Sequence, residues 1–243
     1  MGYHESLTEG RNAVLEAFRS GKTVDRLFVL DGCQDGPVKT ILREAKKQDT
    51  MVQYVKKERL DQLSETKNHQ GVIAYCAACE YAEVSDILEN AKKKGEAPFI
   101  VLLDGIEDPH NLGAIIRTAN QAGAHGVIIP KRRAVGLTAT VARTSAGAVN
   151  YTPVAKVTNL VTVMEDLKKE GMWFVCADMD GEEMYSLNLK GPIGLVIGNE
   201  GEGVSRLVKE HCDMVASIPM KGSLNASVSM GVLAYEIVRQ RRF

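Results

Sequence analysis

Phe99-Ile100-Val101-Leu102-Leu103 runs through Asp104-Gly105-Ile106-Glu107 into Asp108-Pro109-His110-Asn111-Leu112-Gly113-Ala114-Ile115-Ile116-Arg117-Thr118-Ala119. The first five residues are apolar without alternation, which reads as a strand covered on both faces. Asp104 and Asp108 cap the strand end, Pro109 stiffens the turn, and Asn111 opens a helix anchored by Ile115 and Ile116. The same change of period recurs to the C-terminus. Strands are expected at 99–103, 126–129, 173–177, 193–197 and 214–218, and helices near 111–123, 138–144, 158–170, 203–210 and 225–239. Apolar strands separated by helices imply an α/β fold with a doubly wound parallel sheet. In such sheets the loops at strand C-terminal ends bind the ligand.

Upstream the pattern is shorter. A helix over 11–20 buries Val14, Leu15 and Phe18. Strands at 26–30, 51–55 and 72–76 alternate with helices at 38–48 and 57–64. Runs this short suggest a small three-layer α/β domain. Residues 80–97 are charged and Ala-rich, with a weak apolar face at Ile87, Leu88 and Ala91. The expected division is therefore a domain at 1–79, a linker with a helix at 80–97, and a second domain at 98–243.

Composition narrows the function classes. A net charge of −1 excludes bulk attraction to polyanions. Local basic clusters do occur, at Lys92-Lys93-Lys94, Lys131-Arg132-Arg133 and Arg239-Gln240-Arg241-Arg242, with Arg143 nearby in sequence to the second. RNA contact would rest on these and on the N-terminal domain, although each is equally well a solvated face. No apolar run is long enough to cross a bilayer. The start, Met1-Gly2-Tyr3-His4-Glu5-Ser6, is polar and lacks a signal peptide's apolar stretch. Five cysteines without such a signal suggest reduced thiols, and the expectation is a cytoplasmic protein. Cys76-Ala77-Ala78-Cys79 has metal or redox spacing, but no second ligand pair matches it, and no metal is expected.

Two further segments join a strand to an unusual loop. Ile197-Gly198-Asn199-Glu200-Gly201-Glu202-Gly203 places three glycines within six residues, which permits close backbone or ligand approach. It does not match the Gly-x-Gly-x-x-Gly dinucleotide pattern, and its two carboxylates oppose a pyrophosphate. A cationic or hydroxyl-bearing ligand suits it, as does a plain strand-to-helix turn. Ile218-Pro219-Met220-Lys221-Gly222-Ser223-Leu224-Asn225-Ala226-Ser227 repeats the architecture and also reads as a Ser/Asn helix cap.

In this order, the three segments resemble the motifs of the SpoU (TrmH-type) RNA ribose 2′-O-methyltransferases of the SPOUT class. The resemblance covers 98–243. Gly10-Arg11-Asn12-Ala13-Val14-Leu15-Glu16-Ala17 and His69-Gln70-Gly71 resemble the L30e-like RNA-binding domain attached to many members. The two-domain layout is most similar to the RlmB-type enzymes, which methylate a guanosine ribose in 23S ribosomal RNA. The resemblance implies a trefoil knot in the C-terminal domain, S-adenosylmethionine as cofactor, a homodimer and an RNA substrate. It puts cofactor contacts at Gly198, Ile218 and Leu224, and the catalytic centre at Asn111, Arg117, Glu200, Ser223 and Asn225. One departure stands out: Gly222 abuts Ser223 directly, where family members carry additional residues. A shortened loop bears on Ser223, Leu224 and Asn225 and leaves Arg117 and Glu200 untouched.

A ribose 2′-hydroxyl is a weak nucleophile at neutral pH, so its proton must be drawn off. Arginine, with a pKa above about 12, is poorly suited to that role. Arg117 is expected to position the phosphate and the hydroxyl, and the base stays open. The same chemistry on tRNA, or on an rRNA site that confers antibiotic resistance, fits the motifs too. An RNA-binding assembly factor without activity would be expected to lose the motif residues.

Overall fold

The computed structural model describes residues 6–242; the polar start read at 1–5 lies outside them. The chain divides into two compact units, Met1–Glu80 with Gly136–Ala139, and Tyr81–Val135 with Thr140–Phe243.

The N-terminal unit contains β1 (Ser6–Glu9), α1 (Arg11–Arg19), β2 (Val24–Leu30), α2 (Gly36–Lys47), β3 (Met51–Val55), α3 (Lys57–Leu63) and β4 (Val72–Cys76). Its sheet order is β1-β4-β2-β3. Strands β2 and β3 are parallel, joined by the α2 crossover, and β4 runs antiparallel to β1 and β2. Alternation along β4 decides the layers. Val72, Ala74 and Cys76 face Val14, Phe18, Val38 and Ile41 of α1 and α2, while Ile73 faces Leu60 of α3. Asp35 caps α2 by accepting from the Val38 N–H at 3.2 Å. Strand β1 went unread because it is a four-residue edge strand, three of whose residues are polar.

The C-terminal unit begins with α4 (Val84–Lys94), inside the stretch read as a linker. Ile87 is fully buried with Ile100, Ile128 and Met164, so this helix is a wall of the second core. There follow β5 (Phe99–Asp104), α5 (Pro109–Gln121), β6 (Gly126–Pro130), α6 (Ala139–Thr144) and a 3-10 turn at Ala148–Asn150. Then come β7 (Val154–Val157), α7 (Leu160–Lys169), β8 (Trp173–Glu183), β9 (Ile193–Gly198), α8 (Arg206–Glu210), β10 (Met214–Ser217) and α9 (Ala226–Arg242). Short β7, behind Pro153, lacks the length that periodicity needs.

All six strands pair in parallel, in the order β10-β8-β9-β5-β6-β7. Every residue of β5 and of β9 is buried, as unalternating runs require. The order departs from the ordinary doubly wound one, in which the fourth strand of the unit lies beside the first. Here the fifth strand, β9, pairs with β5 along Phe99–Asp104, and β8 lies outside it. Strand β8 also runs past the expected end at 177. Its register against β10 jumps between Val215, opposite Cys176, and Ala216, opposite Glu182. The register shift leaves an irregularity in β8, whose Ala177, Asp178 and Met179 line a cavity while Gly181 packs against the Val215 backbone.

Candidate active site

The C-terminal ends of β5, β9 and β10 each release one of the three motif loops. Helix α5 starts at Pro109, whose fixed φ and missing N–H suit a first helical position. Asp108 caps it by accepting from the His110 N–H at 2.9 Å. Asn111 therefore sits in the first turn, three residues beyond the cap, and is buried.

Side chains join the three loops. The Asn111 Nδ2 donates to Glu200 Oε1 at 2.6 Å. The Asn225 Nδ2 donates to the same Glu200 oxygen at 2.7 Å and to Asn111 Oδ1 at 3.0 Å. Asn225 also opens α9, its Oδ1 accepting from the Ser227 N–H and hydroxyl. Thus Asn111, Glu200 and Asn225, expected to share a centre, form one hydrogen-bonded triangle. A carboxylate that accepts two amide donors is held in one orientation.

Gly198, Ile218, Ser223 and Leu224 line one cavity of about 210 Å³, together with Glu200. Gly222 adopts φ +98, turning the short loop so that Ser223 and Leu224 still reach this wall. Gly198 has a second reason to lack a side chain: a Cβ there would overlap the Gly203 carbonyl group and the Val204 nitrogen. The glycine is fixed by the loop's own backbone crossing as well as by any ligand.

Arg117 stands apart. It is exposed on α5 and makes no ion pair or side-chain hydrogen bond among the described residues. Six residues beyond Asn111, it lies about 9 Å further along the helix axis. Within this chain it is not part of the triangle.

Several residues were missed by sequence reading. Ala177, Asp178 and Met179, in the irregular part of β8, line the same cavity. Burial alone would raise the Asp178 pKa, but the hydrogen bonds from Lys209 (2.7 Å) and from the Asp180 N–H (3.0 Å) hold it below the ordinary carboxylate value. Asn199 folds the second loop on itself, its Oδ1 accepting from the Gly201 and Glu202 N–H groups at 2.9 and 2.7 Å. The Asn199-x-Gly pattern was the available signal. A second cavity of about 410 Å³ adjoins the triangle, rimmed by Glu107, Asp108, Glu202 and Arg133.

The first cavity fits an adenosyl cofactor carrying a sulfonium. Ile197, Ile218 and Leu224 offer apolar walls, and Asp178 and Glu200 place carboxylates at its rim. Among the described residues no group of His, Cys, Asp and Glu could hold a metal ion, and no helix is long and apolar enough to cross a membrane.

Comparison with known proteins gives this arrangement its family. Residues 98–235 match the SpoU rRNA Methylase family, and residues 7–82 match the RNA 2′-O ribose methyltransferase substrate-binding family. A protein of Bacillus subtilis (strain 168) named as a TrmH family tRNA/rRNA methyltransferase, YacO, is 48% identical over 237 residues, 96% of this chain and 94% of its own length. The structure of the SpoU methyltransferase AviRb from Streptomyces viridochromogenes with AdoMet aligns at a TM-score of 0.61 and 27% identity, covering 97% of this chain and 90% of that one. The A. aeolicus TrmH/SpoU tRNA modifying enzyme aligns at a TM-score of 0.55 and 27% identity, over 64% of this chain and 84% of that one. The chain belongs to the SpoU/TrmH family of S-adenosylmethionine-dependent RNA 2′-O-ribose methyltransferases.

Proposed function

We propose that this methyltransferase acts on a guanosine ribose of large-subunit ribosomal RNA. The observation that carries the reading is the second unit. A substrate-binding family match spans 7–82, nearly the whole N-terminal unit. The tRNA modifying enzyme covers 64% of this chain, about the share that the C-terminal unit makes up. An accessory RNA-binding unit suits a site embedded in a large folded RNA. The carboxylates of Glu107 and Glu202 beside the triangle are acceptors, complementary to the N1–H and N2–H₂ donor edge of guanine.

S-adenosylmethionine supplies the methyl group, and the cavity at Gly198, Ile218 and Leu224 is its proposed site. Bound there, it would give its methyl group to the 2′-oxygen, the S–CH₃ bond breaking as the O–CH₃ bond forms, with the hydroxyl proton passing to solvent water and S-adenosylhomocysteine left as the product. Glu200, fixed by Asn111 and Asn225, holds the geometry of the centre, and Ser223 lines the wall where the ribose approaches. Arg117 binds the target phosphate, a role suited to its planar guanidinium. Orientation of this kind contributes several kcal/mol, within the ~7–11 available to well-held reactants.

The proposed unit of function is a homodimer in which Arg117 completes the partner's site. This accounts for its distance from the triangle in its own chain. Val228 and Tyr235, seven residues apart on one face of α9, are 48% and 51% exposed, an apolar stripe suited to a second copy. The insertion of β9 between β5 and β8 supports the trefoil knot that the family resemblance implies. Free cysteines fit a cytoplasmic setting.

Incubating the protein with methyl-labelled S-adenosylmethionine and separated 23S, 16S and transfer RNAs tests the target. Label is expected in 23S RNA, as a 2′-O-methylguanosine. Label confined to transfer RNA would move the assignment there.

A further inference from the structure

The buried carboxylate of Asp104 belongs to none of the residues assigned to the centre. Asp104 ends β5 and sits opposite Gly198, the last residue of β9. It is 7% exposed. Its Oδ2 accepts the backbone N–H of Ser205 at 2.8 Å. Ser205 is where the second motif loop ends and α8 begins, and its own side chain makes no capping bond there.

Gly198 and Ser205 form the neck of this loop. Above the neck, the Gly203 N–H returns to the Asn199 carbonyl at 3.0 Å, and the Asn199 side chain gathers Gly201 and Glu202. Next to Asp104, Gly105 adopts φ +80, and a Cβ there would lie 3.0 Å from the Asn199 Nδ2. The loop is thus pinned at its base by the residue that ends the neighbouring strand. It carries Glu200 at its outer end and lines both cavities.

We propose that Asp104 is a positioning residue for methyl transfer: its carboxylate latches the Ser205 N–H and so fixes the Asn199–Gly203 loop, which sets Glu200 against Asn111 and Asn225 and shapes the cofactor wall. A hydrogen bond from a backbone N–H to a buried carboxylate is charge-assisted and stronger than a neutral one. Freed, the loop keeps its Asn199–Gly203 turn, the buried Val204 and the amide contacts of Glu200, but its end loses the hydrogen bond that ties it to the end of β5. The inference rests on the assignment of the cavity at Gly198 to S-adenosylmethionine.

The test is calorimetric titration with S-adenosylmethionine, together with kcat and KM for methyl transfer. Wild type is compared with Asp104→Ala, Asp104→Asn and Ser205→Pro. Ser205 has φ −59, which proline adopts without strain, so this change removes the N–H and leaves Asp104 in place. Asp104→Ala and Ser205→Pro are expected to weaken cofactor binding about tenfold or more, the usual worth of a hydrogen bond to a charged group. Asp104→Asn retains an acceptor and should recover most of the affinity. In a Glu200→Gln background Asp104→Ala should add little, because both act on one loop. Wild-type affinity and rate in Asp104→Ala, even with a lowered Tm, would overturn the proposal. So would Asp104→Asn as impaired as alanine. If Asp104→Ala does not fold, Ser205→Pro decides, and unchanged binding there overturns it. A wild-type protein that binds no S-adenosylmethionine would instead remove the cavity assignment beneath it.

Discussion

Arg117 and Glu200 illustrate two ways in which a charged side chain is held. Glu200 is fixed by amide donors from the first and third motifs, and replacing its carboxylate would leave Asn111 and Asn225 without a shared acceptor. Arg117 makes no ion pair or side-chain hydrogen bond among the described residues. A residue kept free in this way can meet RNA or a second subunit without first breaking an ion pair. Arg117→Ala is therefore expected to lower methyl transfer about a hundredfold or more, the scale of a lost positioning contact. Titration with S-adenosylmethionine should give the wild-type affinity. An equal loss of affinity and rate would contradict this division of roles.

Helix α4 is the element whose place the amino-acid pattern disguised. Its charged face and short apolar stripe at Ile87 and Ala91 read as a connector, yet both residues are buried. It docks because Gly126, on β6, has no side chain: a Cβ there would lie 2.5 Å from the Ile87 Cγ1. Gly126→Ala should force Ile87 off the sheet and destabilise the C-terminal unit by about 1–3 kcal/mol, as overpacking does. Urea unfolding measures the change. A neutral result would mean that α4 shifts at no cost, and that it is no wall of the core. The strands differ in legibility for a related reason. β5 and β9 declared themselves through unbroken apolar runs, whereas the second half of β8, Asp178-Met179-Asp180-Gly181-Glu182-Glu183, is polar and exposed over much of its length. Its strand character comes from pairing with β10, and no local preference announces it.

At the scale of the whole molecule, the proposed dimer makes a prediction that neither site residue makes alone. If Arg117 serves the partner's centre, an Arg117→Ala subunit and an Asn225→Ala subunit are each inactive as homodimers. Their mixed dimer has one centre with both residues intact. Unfolding and refolding the two variants together should restore about a quarter of wild-type activity, since half of randomly assorted dimers are mixed and each has one complete site. No recovery, with mixed dimers verified by differential tagging, would place Arg117 in its own subunit's centre.

The amino-acid sequence by itself determined the parallel α/β character of residues 98–243, the order of the three motifs and the pairing of glycine and asparagine with the strand ends. These follow from local properties: apolar runs without alternation, turn chemistry and helix caps. Only the tertiary structure decided that Asn111, Glu200 and Asn225 share one triangle, that β9 lies between β5 and β8, and that Asp104 pins a loop 101 residues away. A hydrogen bond between distant residues leaves no period and no composition in the chain. It exists only once the sheet has brought the strand ends together.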